Sequence, residues 1–199
     1  QIGGWRQTGR VVRTGARAAA LQKLLNGAGL QSVAAGPPTP RLDALPGDAR
    51  TGLMELYQVL GGKDPLRALR PGAWDLAFAD GLVVELDEEL HFNRYRLRTL
   101  QAPWSARSPW HDAYIVFCER QEQACLDAGR WGKRWTSPSC ESMFGPPGEA
   151  GALEGAGTPR WRQRALYAAM KDIAALTSDA LHLVRLSVWD TVGDVRLGD

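Results

Sequence analysis

The chain of 199 residues has too little cysteine for a disulfide framework: Cys118, Cys125 and Cys140 are an odd number and form no Cys-x-x-Cys pair. It has no uncharged run approaching the roughly 20 apolar residues that a membrane helix needs, so no membrane partner is expected. No basic segment leads into an apolar one as in a secretory signal, and with this cysteine usage the cytoplasm is the default location. A phosphate-loop motif and a strand-linked G-x-G-x-x-G are both missing, so nucleotide-fold cradles lack support. No G-x-S-x-G or cysteine-centred hydrolase signature occurs. The three histidines and three cysteines show no zinc-ligand spacing.

Charge of one sign is missing from two stretches. Residues 1–42 hold Arg6, Arg10, Arg13, Arg17, Lys23 and Arg41 and no acid. Residues 75–89 hold Asp75, Asp80, Glu85, Asp87, Glu88 and Glu89 and no Lys or Arg. The formal net charge of +2 conceals this asymmetry. A basic arm suits a polyanion such as nucleic acid. A dense acidic cluster suits a hard divalent cation, which takes carboxylate oxygens. Each feature alone also fits a solvated charged surface.

With 44% hydrophobic and 23% charged residues the chain has the make-up of a folded domain. Residues 12–26 have a helical pattern ended by Gly27 and Gly29, and 34–46 form a Gly/Pro-rich linker. A second helix is expected over 49–60, with Asp48 as N-cap, Gly61-Gly62 as stop, and Leu53, Leu56, Tyr57 and Leu60 buried. Two strands, 73–79 and 82–87, flank Asp80-Gly81. Helices are expected over 92–100, 112–128 and 159–176, the last with Thr158 as N-cap and Pro159 at its first position. A long loop or flap fills 136–157, and a strand over 181–188 closes the core. The resulting class is α/β: a mixed central sheet flanked by helices, with a basic N-terminal arm and linker over 1–47, a main domain over 48–199, and an insertion over about 101–157.

The hairpin register decides whether the acids meet. A two-residue loop would pair Asp75 with Leu86 and send Glu85 to the opposite face. A three-residue loop, Ala79-Asp80-Gly81, pairs residues whose numbers sum to 160. Asp75 then lies across from Glu85, Asp87 lies two positions along the same face, and Gly81 takes the left-handed position. This register is the one expected, with Trp74, Leu76, Phe78, Val84 and Leu86 on the other face. Three carboxylates on one half-buried face repel each other unless a cation neutralises them. Truncating Glu85 to alanine is accordingly expected to leave folding intact or improve it.

Asp75, the short turn, Val83-Val84-Glu85-Leu86-Asp87 and His91 resemble the core motif of the PD-(D/E)XK nuclease superfamily. The nearest branch is that of the very-short-patch-repair and restriction-endonuclease-like proteins. The likeness spans roughly residues 48–100 and 158–190. It implies a restriction-endonuclease-like core and a Mg²⁺- or Mn²⁺-dependent DNA endonuclease or nickase, in defence, restriction or repair. Asp75 and Glu85 would hold the metal, the Leu86 carbonyl would add a ligand, and Asp87 would be a third carboxylate. Glu55 would match an acidic residue that some members contribute from the preceding helix. Position 87 is Asp where the best-known members have Lys, and Glu88 stands where the branch often has Gly. The missing base must then come from His91 or Lys171, or the protein is a catalytically inactive nuclease-fold module that binds nucleic acid or a protein partner.

Lys171 ends a helical stripe of Arg160, Arg164, Tyr167 and Lys171, able to aim cations at a phosphate. Arg94, Arg96 and Arg98, with the N-terminal bases, are further candidate phosphate contacts. Trp104, Trp110, Trp131 and Trp135, interleaved with Arg107, Arg130, Lys133 and Arg134, offer one or two stacking positions for bases. A homodimer or a partner protein is compatible with all of this.

Overall fold

A computed structural model describes residues 15–199, apart from Pro65 and Arg67. Two helices, α1 (Ala16–Gly27) and α2 (Gly47–Val59), precede a hairpin of β1 (Leu76–Ala77) and β2 (Leu82–Asp87). Helices α3 (Arg94–Leu100), α4 (His111–Arg120), α5 (Glu122–Gly129) and α6 (Pro138–Phe144) follow. The long helix α7 (Pro159–Leu176) leads into β3 (His182–Ser187), and a small hairpin, β4 (Thr191–Val192) and β5 (Val195–Arg196), ends the chain. The central sheet has the order β1-β2-β3, with β1 antiparallel and β3 parallel to β2. The architecture is therefore mixed α/β, as expected.

Local chemistry explains α7. Thr158 caps it by accepting from Trp161 N, and Pro159 supplies a fixed φ where no N–H partner is required. Its apolar face buries Trp161, Leu166, Ala169, Met170 and Ile173 against α2, Trp135 and α6. Each fully buried Leu or Met there contributes about 1.5–3 kcal/mol. On α2, Leu53, Leu56 and Tyr57 are buried and Leu60 follows them into the core. The helix starts at Gly47, with Pro46 rather than Asp48 at the cap; Asp48 sits in the first turn, where a carboxylate still meets the positive end of the helix dipole.

Three further expectations change. The helix expected over 112–128 is two helices that part at Gln121, although no Gly or Pro marks the break. A tertiary contact holds the new start: Glu122 accepts from the backbone and guanidinium of Arg94. Within the expected loop 136–157, Ser137 caps α6, whose Met143 and Phe144 enter the core. There the third capping position is Cys140 instead of the usual Glu or Gln, which hides the signal. Trp74 leaves the face expected for it, because the ladder begins only at Leu76 and alternation does not reach back to residue 74.

The sheet has two dissimilar faces. Leu76, Phe78 and Val84 pack under Leu21 and Leu25 of α1, so the N-terminal helix covers one side. Val83, Glu85 and Asp87, with Leu183, Arg185 and Ser187 beside them in β3, share the opposite side. That side meets α7. Among the described residues, no helix is long and apolar enough to cross a membrane.

Candidate functional site

The hairpin register places the first two acids together. Leu76 pairs with Val84 and Ala77 with Val83, and Phe78 N donates to Leu82 O. Both Asp80 (φ 57°) and Gly81 (φ 77°) are left-handed in the connecting turn. A side chain at position 81 would collide with the Ala180 carbonyl, so glycine is required there on two counts. One step beyond the ladder, Asp75 N lies 3.3 Å from Glu85 Oε1, and Asp75 Oδ2 accepts from Leu86 N at 2.8 Å.

Lys171 comes to this pair from α7. Its Nζ donates to Glu85 Oε1 at 2.7 Å and to Ala73 O at 2.9 Å, and lies 4.9 Å from the centre of the Trp74 ring. Both side chains of this ion pair are 8% exposed. Burial still pushes the Glu85 carboxyl above its usual range, against the pull of Arg185 and Lys171. The Asp75 carboxyl is also raised, by surrounding protein first, with the negative charge of Asp87 adding to it. Asp75 nevertheless remains exposed to solvent along one side.

Asp87 does not join the pair. Its oxygens accept from Arg185 at 2.8 and 3.0 Å and from Tyr114 OH at 2.8 Å, and His91 Nδ1 lies 2.6 Å from Oδ1. Arg185 in turn binds Asp172 at 2.6 Å, and Asp172 binds Arg96 at 2.6 Å. Parallel pairing sets Arg185 directly beside Glu85, so β3 inserts a guanidinium among the acids. The cation that the acidic face demands is thus supplied largely from within. Among the described residues, no three His, Cys, Asp or Glu side chains gather as a metal cluster.

Burial alone would raise the Asp87 carboxyl, but Arg185 and then His91 outweigh it and hold it well below the usual range. The folded protein therefore binds fewer protons here than the unfolded chain. The stability from this group is complete above the unfolded value of about 3.9 and is lost as pH falls from there toward the depressed folded value. Urea midpoints followed from neutral pH to about pH 2 should show a steep acid limb that Asp87→Asn flattens. A limb of unchanged slope would remove Asp87 from that role.

The helical stripe on α7 is realised. Arg160, Arg164, Tyr167 and Lys171 line one cavity of about 140 Å³, together with Glu85 and His91. Asp75 opens instead to a neighbouring cleft walled by Gln22, Ser32, Pro37 and Trp74. Of the other candidates, Arg96 is buried and committed to Asp172, and Arg94 is clamped by Glu122, which leaves Arg98 exposed on that helix. Glu55 is exposed. Arg17 binds Glu89, and Arg41 binds Asp43, whereas Arg6, Arg10 and Arg13 lie outside the described residues. Trp135 is buried edge-on against Trp161, and Trp104 and Trp110 are half-buried. Trp131 is 64% exposed with Arg130 over its ring. The three cysteines are free and buried.

Sequence reasoning missed Arg185, Asp172 and Tyr114. A signal existed for Arg185: strand alternation puts it on the same face as Leu183, which is an unusual place for a guanidinium unless an acid waits there.

Residues 55–199 match a family of unknown function, DUF7255, and the chain belongs to that family. No curated protein and no solved structure matches it significantly.

Proposed function

We propose that this protein is a metal-dependent phosphodiesterase acting on DNA, an endonuclease or nickase on a restriction-endonuclease-like core. The observation that carries this reading is Lys171 bonded to Glu85, one strand across from Asp75. The lysine absent from position 87 is replaced in space by one from α7. The order of hairpin, helix and parallel strand supports the same core.

In this reading Asp75 and Glu85 would hold the divalent cation between them. Asp75 uses only Oδ2, and Glu85 only Oε1, in the hydrogen bonds of the described residues, so each has a second hard oxygen to offer. Leu86 N turns toward Asp75, and strand geometry sends its carbonyl to that same edge. Asp87 is excluded as a ligand by Arg185, His91 and Tyr114. A bound Mg²⁺ or Mn²⁺ would acidify a water and offset charge on the phosphate. Lys171, fixed beside Glu85, stabilises negative charge developing on a phosphate oxygen. His91 is oriented by Asp87 through Nδ1, which leaves Nε2 to take or give the proton.

Plasmid, linear and modified DNA incubated with Mg²⁺ or Mn²⁺ test the reading. Nicked or cut product that disappears in a folded Asp75→Ala protein is the expected result. The second reading, a module that binds nucleic acid without cutting it, is favoured by Asp75 and Glu85 opening to different clefts. It predicts salt-sensitive DNA retention with no product. A protein that neither cuts nor retains DNA would sink both.

A further inference from the structure

Two pairs of arginines, one fully buried and one half-buried, differ in what they meet. Arg96 and Arg185 each end on a carboxylate, as buried guanidinium groups usually do. Arg160 and Arg164 do not. Arg160 donates to the neutral Gln163 Oε1 at 2.7 Å, and Arg164 reaches only the Leu90 carbonyl at 3.4 Å. Among the described residues neither makes an ion pair, although they stand one helical turn apart on the same wall. Burial, with the like charge of Arg160 adding to it, pushes the Arg164 guanidinium down to about 10. Two adjacent cations without an ion-pair partner that face a cavity are less stable than paired ones, even with Asp87 and Glu88 near enough to act on Arg164. An anion between them reverses the sign of that interaction.

The cavity suits one. Its volume of about 140 Å³ leaves room for a phosphate group. Arg160 lies in the first turn of an 18-residue helix, where the dipole adds positive potential. Lys171 and His91 also line the cavity, as does Glu85, whose charge is paired with Lys171.

We propose that Arg160 and Arg164 form a phosphate-binding subsite, which receives a phosphate group of the polynucleotide adjacent to the bond attacked at Glu85 and Lys171. The anion site stands on the cavity alone; only its assignment to a polynucleotide rests on the function proposed above. The group bound is either a strand-terminal phosphate or an internal diester, which present the same oxygens to the two guanidinium groups.

Inorganic phosphate titrated into the metal-free protein, followed by calorimetry and phosphorus NMR, tests the site without any cleavage. Saturable binding is expected in the wild type and in Asp75→Ala. It should weaken about tenfold in Arg160→Gln and in Arg164→Gln, for loss of a charge-assisted contact. No saturable binding in the wild type, or binding as tight as wild type in both arginine variants, would overturn the subsite. Should Arg164→Gln fail to fold, the more peripheral Arg160→Gln carries the comparison. Competition by 5′-phosphorylated and 5′-hydroxyl oligonucleotides then separates the sources. Preference for the phosphorylated end assigns a terminal phosphate, and equal competition assigns an internal one. If neither displaces phosphate, the polynucleotide assignment falls. Phosphate binding that persists without cleavage would sink the hydrolytic reading and leave the subsite in place.

Discussion

Replacing Arg185 with methionine is expected to destabilise the protein by about 3–5 kcal/mol, a large fraction of the roughly 5–15 kcal/mol that holds a domain folded. The side chain is fully enclosed and bridges two carboxylates, Asp87 and Asp172, which come from β2 and α7. Methionine fills much of the space but leaves both acids desolvated with less compensation. Arg96 still reaches Asp172, and His91 and Tyr114 still reach Asp87, so the loss falls short of two naked charges. Denaturant midpoints measure it. Adding Asp87→Asn to Arg185→Met should recover part of the loss, because one uncompensated charge disappears with it. A single-variant change below about 1 kcal/mol would show that the bridge contributes no more than a surface pair.

Lys171→Met should reduce cleavage by about a hundredfold or more, as expected for removal of a fixed cation at developing negative charge. It should also destabilise the fold, because Glu85 is then buried without its ammonium partner. Mild acidification should return part of that stability as the raised Glu85 carboxyl takes up a proton. The same geometry reverses the expectation that truncating Glu85 would relieve repulsion. Without Glu85, Lys171 keeps only the Ala73 carbonyl and the face of Trp74. A double-mutant cycle on Glu85→Gln and Lys171→Met should give a coupling of about 1–3 kcal/mol. Additive effects would mean that the pair is an accident of proximity. Retained cleavage in Lys171→Met with intact folding would remove lysine from the chemistry.

Most of what is periodic was legible. The limits of α7 follow from Thr158-Pro159 and from its apolar face, and the buried face of α2 follows from the spacing of its leucines. The juxtaposition of Asp75 and Glu85 is a local property too, since the turn Ala79-Asp80-Gly81 has one residue too many for a two-residue loop and a glycine where a left-handed φ is needed. The break at Gln121 and the cap of α6 were not legible, because one depends on Arg94 reaching Glu122 and the other on a cysteine in a glutamate's place.

By itself the sequence determined α2 and α7, the hairpin register, the face that carries the acids and the stripe of cations on α7. These depend on turns, caps and repeat lengths, which act over a few residues. Only the tertiary structure decided what neutralises that face. Arg185 lies 98 residues from Asp87, and Lys171 lies 86 from Glu85. Over such separations the partner of a charge is set by the parallel pairing of β3 and the packing of α7, since a buried acid accepts whichever cation the fold brings within hydrogen-bond reach.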